Sequence, residues 1–243
     1  MLFAVPRLMN AEERELTFGA ICKSFRQYLQ TEVNSVLAGG QTVINPWLLV
    51  GGACTSICRR TNIVRMGFIS EGDVFVITKP LGLWTASIAH QHIKNGQILG
   101  NFSANEISEM YEKAKCYLSK LNKAAASLLT KYNCHGAVPV KYEGLIHAGG
   151  ELLRINTEKS LSDDAEISKF LEIPNVDSGC SPEPSGGLLI SMPPYQANEF
   201  CKELQNKFNA PSWIIGYVAV NVDDYSDIDP VRISKDVTII NVD

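Results

Sequence analysis

Several features that mark large classes of protein are missing from this 243-residue sequence. No apolar stretch approaches the about 20 residues that a membrane-spanning helix needs, and the N-terminus lacks the basic start of a secretory signal. There is no run of five or more basic residues, and the formal net charge is −4. These absences argue against nucleic acid or an anionic membrane surface as a partner, and we expect a cytoplasmic protein.

The common catalytic and metal-binding signatures are also absent. The sequence contains no GxxxxGK[ST], GxGxxG, GxSxG or HExxH pattern. His90 and His92 are only two residues apart, and Cys54 and Cys58 have no second pair of ligands nearby. From motifs alone we therefore predict no catalytic residue and no metal ligand. The seven cysteines, an odd number, are interpreted as small buried thiols in a reducing compartment.

The N-terminal part of the chain predicts one helix followed by short strands. Asn10 and Glu13 have the spacing of a capping box, and apolar residues then recur at helical spacing to Leu29. Strands are predicted over Val33–Leu37, over Thr42–Val50 with an edge or bulge at Pro46, and over Ala53–Ile57. We place a domain boundary in the polar stretch that follows, which gives domains 1–63 and 64–243.

The remainder alternates strands with helices. A second capping box at Ser103 and Glu106 starts a predicted helix that ends near Tyr132. Strands are predicted over 73–78, 137–140, 187–192, 212–220 and 237–242. Three further helices are predicted: one that ends near residue 94, one over about 145–155 and one over 195–208. The order of elements at the C-terminal end resembles half of a ferredoxin-like unit. The pattern predicts an α+β fold with helices on one face of a mixed sheet.

Four glycine pairs could form ligand-binding nests or simple tight turns, and spacing alone leaves both interpretations open. Acidic runs at 163–164, 223–224 and 227–229 lie in polar stretches and are most simply solvated loops. Lys79 follows a predicted strand at a turn, where it could either face a phosphate or be solvated. For His135 and Trp213 we expect structural roles, the first as a hydrogen-bonded histidine and the second in packing.

Four segments, taken in order, resemble the selenophosphate synthetase (selenide, water dikinase) family of animals. Residues 38–47 read AGGQTVINPW and resemble that family's GGQT-x-x-NPW segment, and residues 72–82 read GDVFVITKPLG and resemble its GDVLVLTKPLG. Residues 182–190 read PEPSGGLLI where the family has PETSGGLLI, and residues 213–216 read WIIG as the family does. The resemblance covers essentially the whole chain and is loosest over 138–181.

The resemblance implies a fold of the aminoimidazole-ribonucleotide synthetase (PurM-like) superfamily. On that basis 1–63 is a partial N-terminal domain for dimerisation and ATP, and 64–243 is the C-terminal domain. Gly39, Gly40, Gln41 and Thr42 match the family's ATP-contacting turn. ATP with Mg²⁺ is the implied cofactor, selenide is the implied second substrate, and the implied products are selenophosphate, AMP and phosphate. A homodimer, or a heterodimer with a full-length synthetase, is the implied assembly.

The sequence also departs from the family's pattern. The reactive Cys or selenocysteine, the essential Lys and the Asp of S-D-[LV]-Y-A-M-G have no counterpart, because the chain begins just downstream of them. The metal-binding Asp of A-T-D-[IV]-T-G-F-G aligns with Pro139, which has no carboxylate, and Glu143 lies four residues on.

Three interpretations stay open at this point. The chain is an incomplete copy of an active synthetase, a non-catalytic paralogue that binds nucleotide or regulates an active synthetase, or a scaffold with decayed sites. The loss of charged groups leads us to expect that catalysis is reduced or lost.

Overall fold

A computed structural model describes residues 1–64, 68–96, 102–153, 179–219 and 231. These residues form two compact units, Met1–Cys58 and a second that begins at Arg59. The predicted strand over 237–242 and most of the polar stretch 156–185 lie outside the described residues. Among the described helices, none has the length and apolarity needed to cross a membrane.

The first unit is a three-stranded sheet with one long helix. Strand β1 (Leu2–Pro6) lies in the centre, parallel to β2 (Gln41–Asn45) and antiparallel to β3 (Leu49–Gly51). Helix α1 (Ala11–Tyr28) begins at the predicted capping box, in which Asn10 and Glu13 bond to each other's backbone N–H groups. The helix packs Phe18 on the buried Phe3, with ring centroids 5.2 Å apart.

Two strand predictions in this unit are wrong. Val33 ends a π-helical turn (Leu29–Val33), and Asn34 then takes the left-handed conformation at φ 51°, so no strand forms over 33–37. Residues 53–57 form no strand either. The long strand predicted over 42–50 is two strands, β2 and β3, separated at Pro46, which cannot donate to a strand ladder.

The second unit is built on a four-stranded antiparallel sheet in the order β5-β6-β4-β7. The strands are β4 (Val74–Ile77), β5 (Gly136–Pro139), β6 (Leu188–Met192) and β7 (Trp213–Tyr217). The helices are α2 (Leu83–Lys94), α3 (Ala104–Ser119), α4 (Lys123–Leu128), α5 (Gly144–Leu153) and α6 (Pro194–Phe208).

Apolar clusters cover both faces of this sheet. On one face, Val76 and Ile190 pack with Phe200 of α6 and Leu128 of α4. On the other, residues of the same strands pack with Leu152 of α5. The expectation of a mixed sheet with helices on one face is therefore wrong for this unit, because alternate side chains of β4 and β6 are buried on opposite sides.

The helix predicted to run from Ser103 to Tyr132 is interrupted. Its capping box forms as predicted, but α3 ends at Ser119 and Lys120 is extended, at φ −78° and ψ 136°. The backbone carbonyl of Lys120 accepts a hydrogen bond from Lys79, and the Asn122 side chain donates to the backbone oxygen of Gly186. Contacts with distant segments thus hold the chain at the interruption.

All seven cysteines are free thiols. Four of them are exposed and three are half-buried, so the expectation of buried thiols is wrong.

Candidate functional site

The predicted nucleotide turn, Gly39–Thr42, lies in the first unit where the chain enters β2. The amino group of Met1 donates a hydrogen bond to the carbonyl oxygen of Gly39 at 2.8 Å. The backbone N–H of Gln41 donates to the carbonyl oxygen of Met1 at 3.0 Å. A Cβ on Gly40 would lie 2.0 Å from the Met1 oxygen, so only glycine fits there. All four residues are exposed, the two glycines just before β2 and Gln41 and Thr42 within it, and their contact with ATP stays a prediction.

Lys79 belongs to a buried polar cluster in the second unit. Its side chain is only 5% exposed, and its Nζ donates to the carbonyl oxygens of Lys120 at 2.7 Å and Ser185 at 2.8 Å. Burial lowers the pKa of this ammonium, and the neighbouring charge of Lys120 lowers it further. The interpretation of Lys79 as a solvated turn residue is wrong. Two of the three N–H donors of its ammonium group already bond to carbonyl oxygens, which leaves one that could face a phosphate.

Glu183 lies in the same cluster and was not singled out from the sequence. It is 1% exposed, and its Oε1 accepts a hydrogen bond from the backbone N–H of Gly82, the residue that precedes α2, at 2.6 Å. Its Oε2 is buried as well. Burial raises the pKa of this carboxyl, while the Gly82 amide acts in the opposite direction.

The glycine loop 185–187 is held between these side chains. Ser185 takes the left-handed conformation at φ 58°, which is uncommon for a residue with a side chain. A Cβ on Gly187 would lie 2.5 Å from the backbone nitrogen of Lys79, so the loop and the end of β4 pack backbone against backbone. The segment resembling PETSGGLLI therefore forms a tightly fixed loop before β6.

Pro139 lies next to this loop, at the end of β5. It is in register with Leu188, and the following residue, Val140, donates its N–H to the carbonyl oxygen of Gly187 at 2.9 Å. Pro139 and Glu143 are both exposed. Within the described residues no group of three His, Cys, Asp or Glu side chains could hold a metal ion. Mg²⁺ at a nucleotide site is held by one or two carboxylates together with the phosphates, and the Pro139 side chain offers no oxygen ligand at this position.

A second polar network joins three strands of the sheet. Asp73 is 3% exposed, and its Oδ2 accepts from His135 Nδ1 at 2.7 Å, Ser191 Oγ at 2.9 Å and the backbone N–H of Ser70 at 3.0 Å. The expectation of a hydrogen-bonded His135 is confirmed. Trp213 packs against the apolar cluster under α5, as expected.

Comparison with known proteins gives the family. No protein-family model matches the chain. The chain is 34% identical over 254 residues to a selenide, water dikinase of Dictyostelium discoideum, covering 99% of this chain and 68% of the relative. It is 33% identical over 255 residues to a probable selenide, water dikinase of Caenorhabditis elegans, covering 96% and 67%. The chain belongs to the selenide, water dikinase family.

Other members of the family are longer. The mouse protein named selenide, water dikinase 2 is 33% identical over 234 residues, which is 90% of this chain and 52% of the relative. The chain thus spans about half the length of the vertebrate family members that it matches.

Solved structures support the fold. A thiamine-monophosphate kinase from Stenotrophomonas maltophilia matches with a TM-score of 0.54 at 17% identity, over 90% of this chain and 69% of that one. The hydrogenase maturation protein HypE, solved in complex with ATP, matches with a TM-score of 0.51 at 15% identity, over 89% and 63%. These are PurM-like proteins, so the expected α+β, PurM-like fold is confirmed.

Sequence reasoning located the glycine turn but missed the chemistry of Lys79 and Glu183. Both lie in segments that resemble the family. Their burial depends on contacts 41 to 106 residues away along the chain. A charged residue in an otherwise Pro- and Gly-rich loop was the one available signal.

Proposed function

We propose that this chain is a nucleotide-binding member of the selenide, water dikinase family in which phosphoryl transfer is reduced or lost. The family reaction converts ATP, selenide and water into selenophosphate, AMP and phosphate. The observation that carries the proposal is Pro139, which stands where the family's metal-binding segment has aspartate and lies at the end of β5 beside the glycine loop.

Support for ATP binding comes from the turn and from the comparisons. Gly39, Gly40, Gln41 and Thr42 keep the sequence of the family's ATP-contacting turn and lie exposed at the start of β2. Proteins of the same fold have been solved with ATP and with AMPPCP. Backbone N–H groups beside glycines are able to approach phosphate closely.

Support for reduced catalysis comes from charge. Phosphoryl transfer is catalysed mainly by positioning and by neutralising the developing negative charge. A proline cannot ligate Mg²⁺, and Glu143 is exposed at the turn before α5. The nearby ammonium of Lys79 is engaged with two carbonyl oxygens and is 5% exposed.

A second candidate is a regulatory chain that pairs with another copy or with an active synthetase. The outer strands of the first unit favour it, because they carry apolar side chains that are about half exposed: Val43, Ile44, Leu49 and Val50. Neither outer strand has a further partner among the described residues of this unit. Unpaired apolar edges of this kind promote association.

The test measures ATP binding and its dependence on Mg²⁺. Isothermal titration of the full chain should detect ATP binding that Q41A and T42A weaken and that Q27A, an exposed glutamine on α1, leaves unchanged. Mg²⁺ should alter the affinity little in the natural chain and more in P139D, which restores a carboxylate. Equal ATP affinity in Q41A, T42A and Q27A would contradict the assignment of the turn.

A further inference from the structure

The buried carboxylate of Asp73 determines which nitrogen of His135 carries a proton. Three donors converge on Asp73 Oδ2, namely His135 Nδ1, Ser191 Oγ and the backbone N–H of Ser70. A carboxylate that accepts from all three requires a hydrogen on Nδ1 of the imidazole. In the neutral ring, Nε2 therefore presents a lone pair, directed away from Asp73.

A cavity of about 270 Å³ lies beside this ring. The His135 side chain is 26% exposed and is one of the residues that line the cavity. Val64, Phe68 and Leu129 make an apolar wall, and Thr61 and Thr130 add hydroxyl groups.

Among the described residues that line the cavity, the titratable side chains are the His135 imidazole and the Cys134 thiol. Of the described residues that line the cavity, none is Lys, Arg, Asp or Glu. Burial raises the pKa of the Cys134 thiol to about 12, so this side chain is neutral at physiological pH. Among the described lining residues none carries a charge that would attract a phosphate, so the ligand chemistry inferred here differs from that of the proposed nucleotide turn.

We propose that the cavity binds a small neutral aromatic alcohol, with the ring against the apolar wall and the hydroxyl donating to His135 Nε2. The volume lies near the lower end of the range for ligand pockets, about 300 Å³, and accommodates a single ring. An oriented imidazole acceptor next to an apolar surface matches a ligand with one apolar body and one O–H donor. The site goes beyond the proposed function and is independent of ATP.

The first experiment determines the tautomer. Proton–nitrogen NMR of the imidazole rings in the full chain resolves the four histidines, and H135L identifies the signals of His135. We expect a protonated Nδ1 and an unprotonated Nε2 in the neutral ring. The opposite tautomer would overturn the proposal, because Nε2 would then be a donor.

The second experiment uses phenol and toluene as probes on the natural chain. Phenol should shift the His135 signals saturably without shifting those of His90, His92 or His147. It should bind about three- to tenfold more tightly than toluene, the ratio that one neutral hydrogen bond supplies. Equal affinities, no saturable shift at His135, or a larger shift at another histidine would overturn the proposal.

The variant H135L supplies the matched control. Asp73 keeps the Ser191 and Ser70 donors in this variant, and its fold is checked by circular dichroism. In H135L, binding of phenol and of toluene is measured from the backbone amide signals of the cavity wall. The ratio of the two affinities should fall to about one, because the acceptor is gone. A ratio unchanged from the natural chain would overturn the role of Nε2, and if H135L does not fold, the phenol and toluene comparison on the natural chain decides.

Discussion

Replacing Glu183 by alanine removes the side chain that joins the glycine loop to the start of α2. The N–H of Gly82 then loses an acceptor at 2.6 Å in a place where Glu183 itself is 1% exposed. An unsatisfied buried donor costs about 1–3 kcal/mol. Burial already raises the pKa of this carboxyl, which means that its charge is costly in the folded state, so we expect a net loss of about 2 kcal/mol.

The assay is urea denaturation followed by circular dichroism. With a denaturant slope of about 2 kcal/mol/M, the urea midpoint of E183A should fall by about 1 M. The matched control is E183Q, whose amide oxygen still accepts from Gly82 and which carries no charge, so its midpoint should not fall below that of the natural chain at neutral pH.

The pH dependence gives an independent check. A carboxyl whose pKa is raised on folding binds more protons in the folded state, so its stability contribution falls as pH rises above the ordinary value of about 4.3. Relative to E183Q, the natural chain should therefore gain stability as the pH is lowered towards that value. A midpoint for E183A equal to that of the natural chain, together with no pH-dependent difference from E183Q, would refute the reasoning.

Three further predictions concern other parts of the molecule. K79M should lower the free energy of unfolding by about 1–3 kcal/mol in urea titrations because two carbonyl oxygens lose a charged donor; a loss below about 0.5 kcal/mol would count against the buried cluster. S103A should cost about 1 kcal/mol through loss of the α3 capping box, whereas S108A within the same helix, which loses only a bond to the helix's own backbone, should cost less than about 0.5 kcal/mol. I44D should abolish self-association of the natural chain in sedimentation velocity, with Q30D on the exposed surface as the control; a natural chain that sediments as a monomer would contradict pairing with a second copy.

Local chemistry explains which elements could be predicted from the sequence. The helix starts at Asn10 and Ser103 depend on side chains three residues apart, and both capping boxes form. The strands at 74–77 and 188–192 are short apolar runs bounded by Gly and Pro, and both are found at the predicted places. Such signals lie within a few residues of the structure that they predict.

The features that the sequence did not predict depend on contacts between segments that are distant along the chain. Apolar spacing continues across Lys120, but the break between α3 and α4 is held by Lys79 and by the oxygen of Gly186, to which Asn122 donates. The burial of Glu183 likewise depends on Gly82, 101 residues earlier in the chain. In the site, the sequence identified the glycine turn from its likeness to the family and identified Pro139 as a departure, yet it could not indicate that Lys79 is enclosed.

The central claim is that the chain binds nucleotide without carrying out efficient phosphoryl transfer. The most direct measurement is AMP release from ATP and Mg²⁺ by the purified chain, with and without selenide, in a preparation whose ATP binding has been shown by titration. The account predicts bound ATP with selenide-dependent AMP release that is absent or much slower than that of an active synthetase measured alongside. Release as fast as that of the active synthetase would contradict it, because the chain would then perform the family reaction efficiently with Pro139 in place of the aspartate.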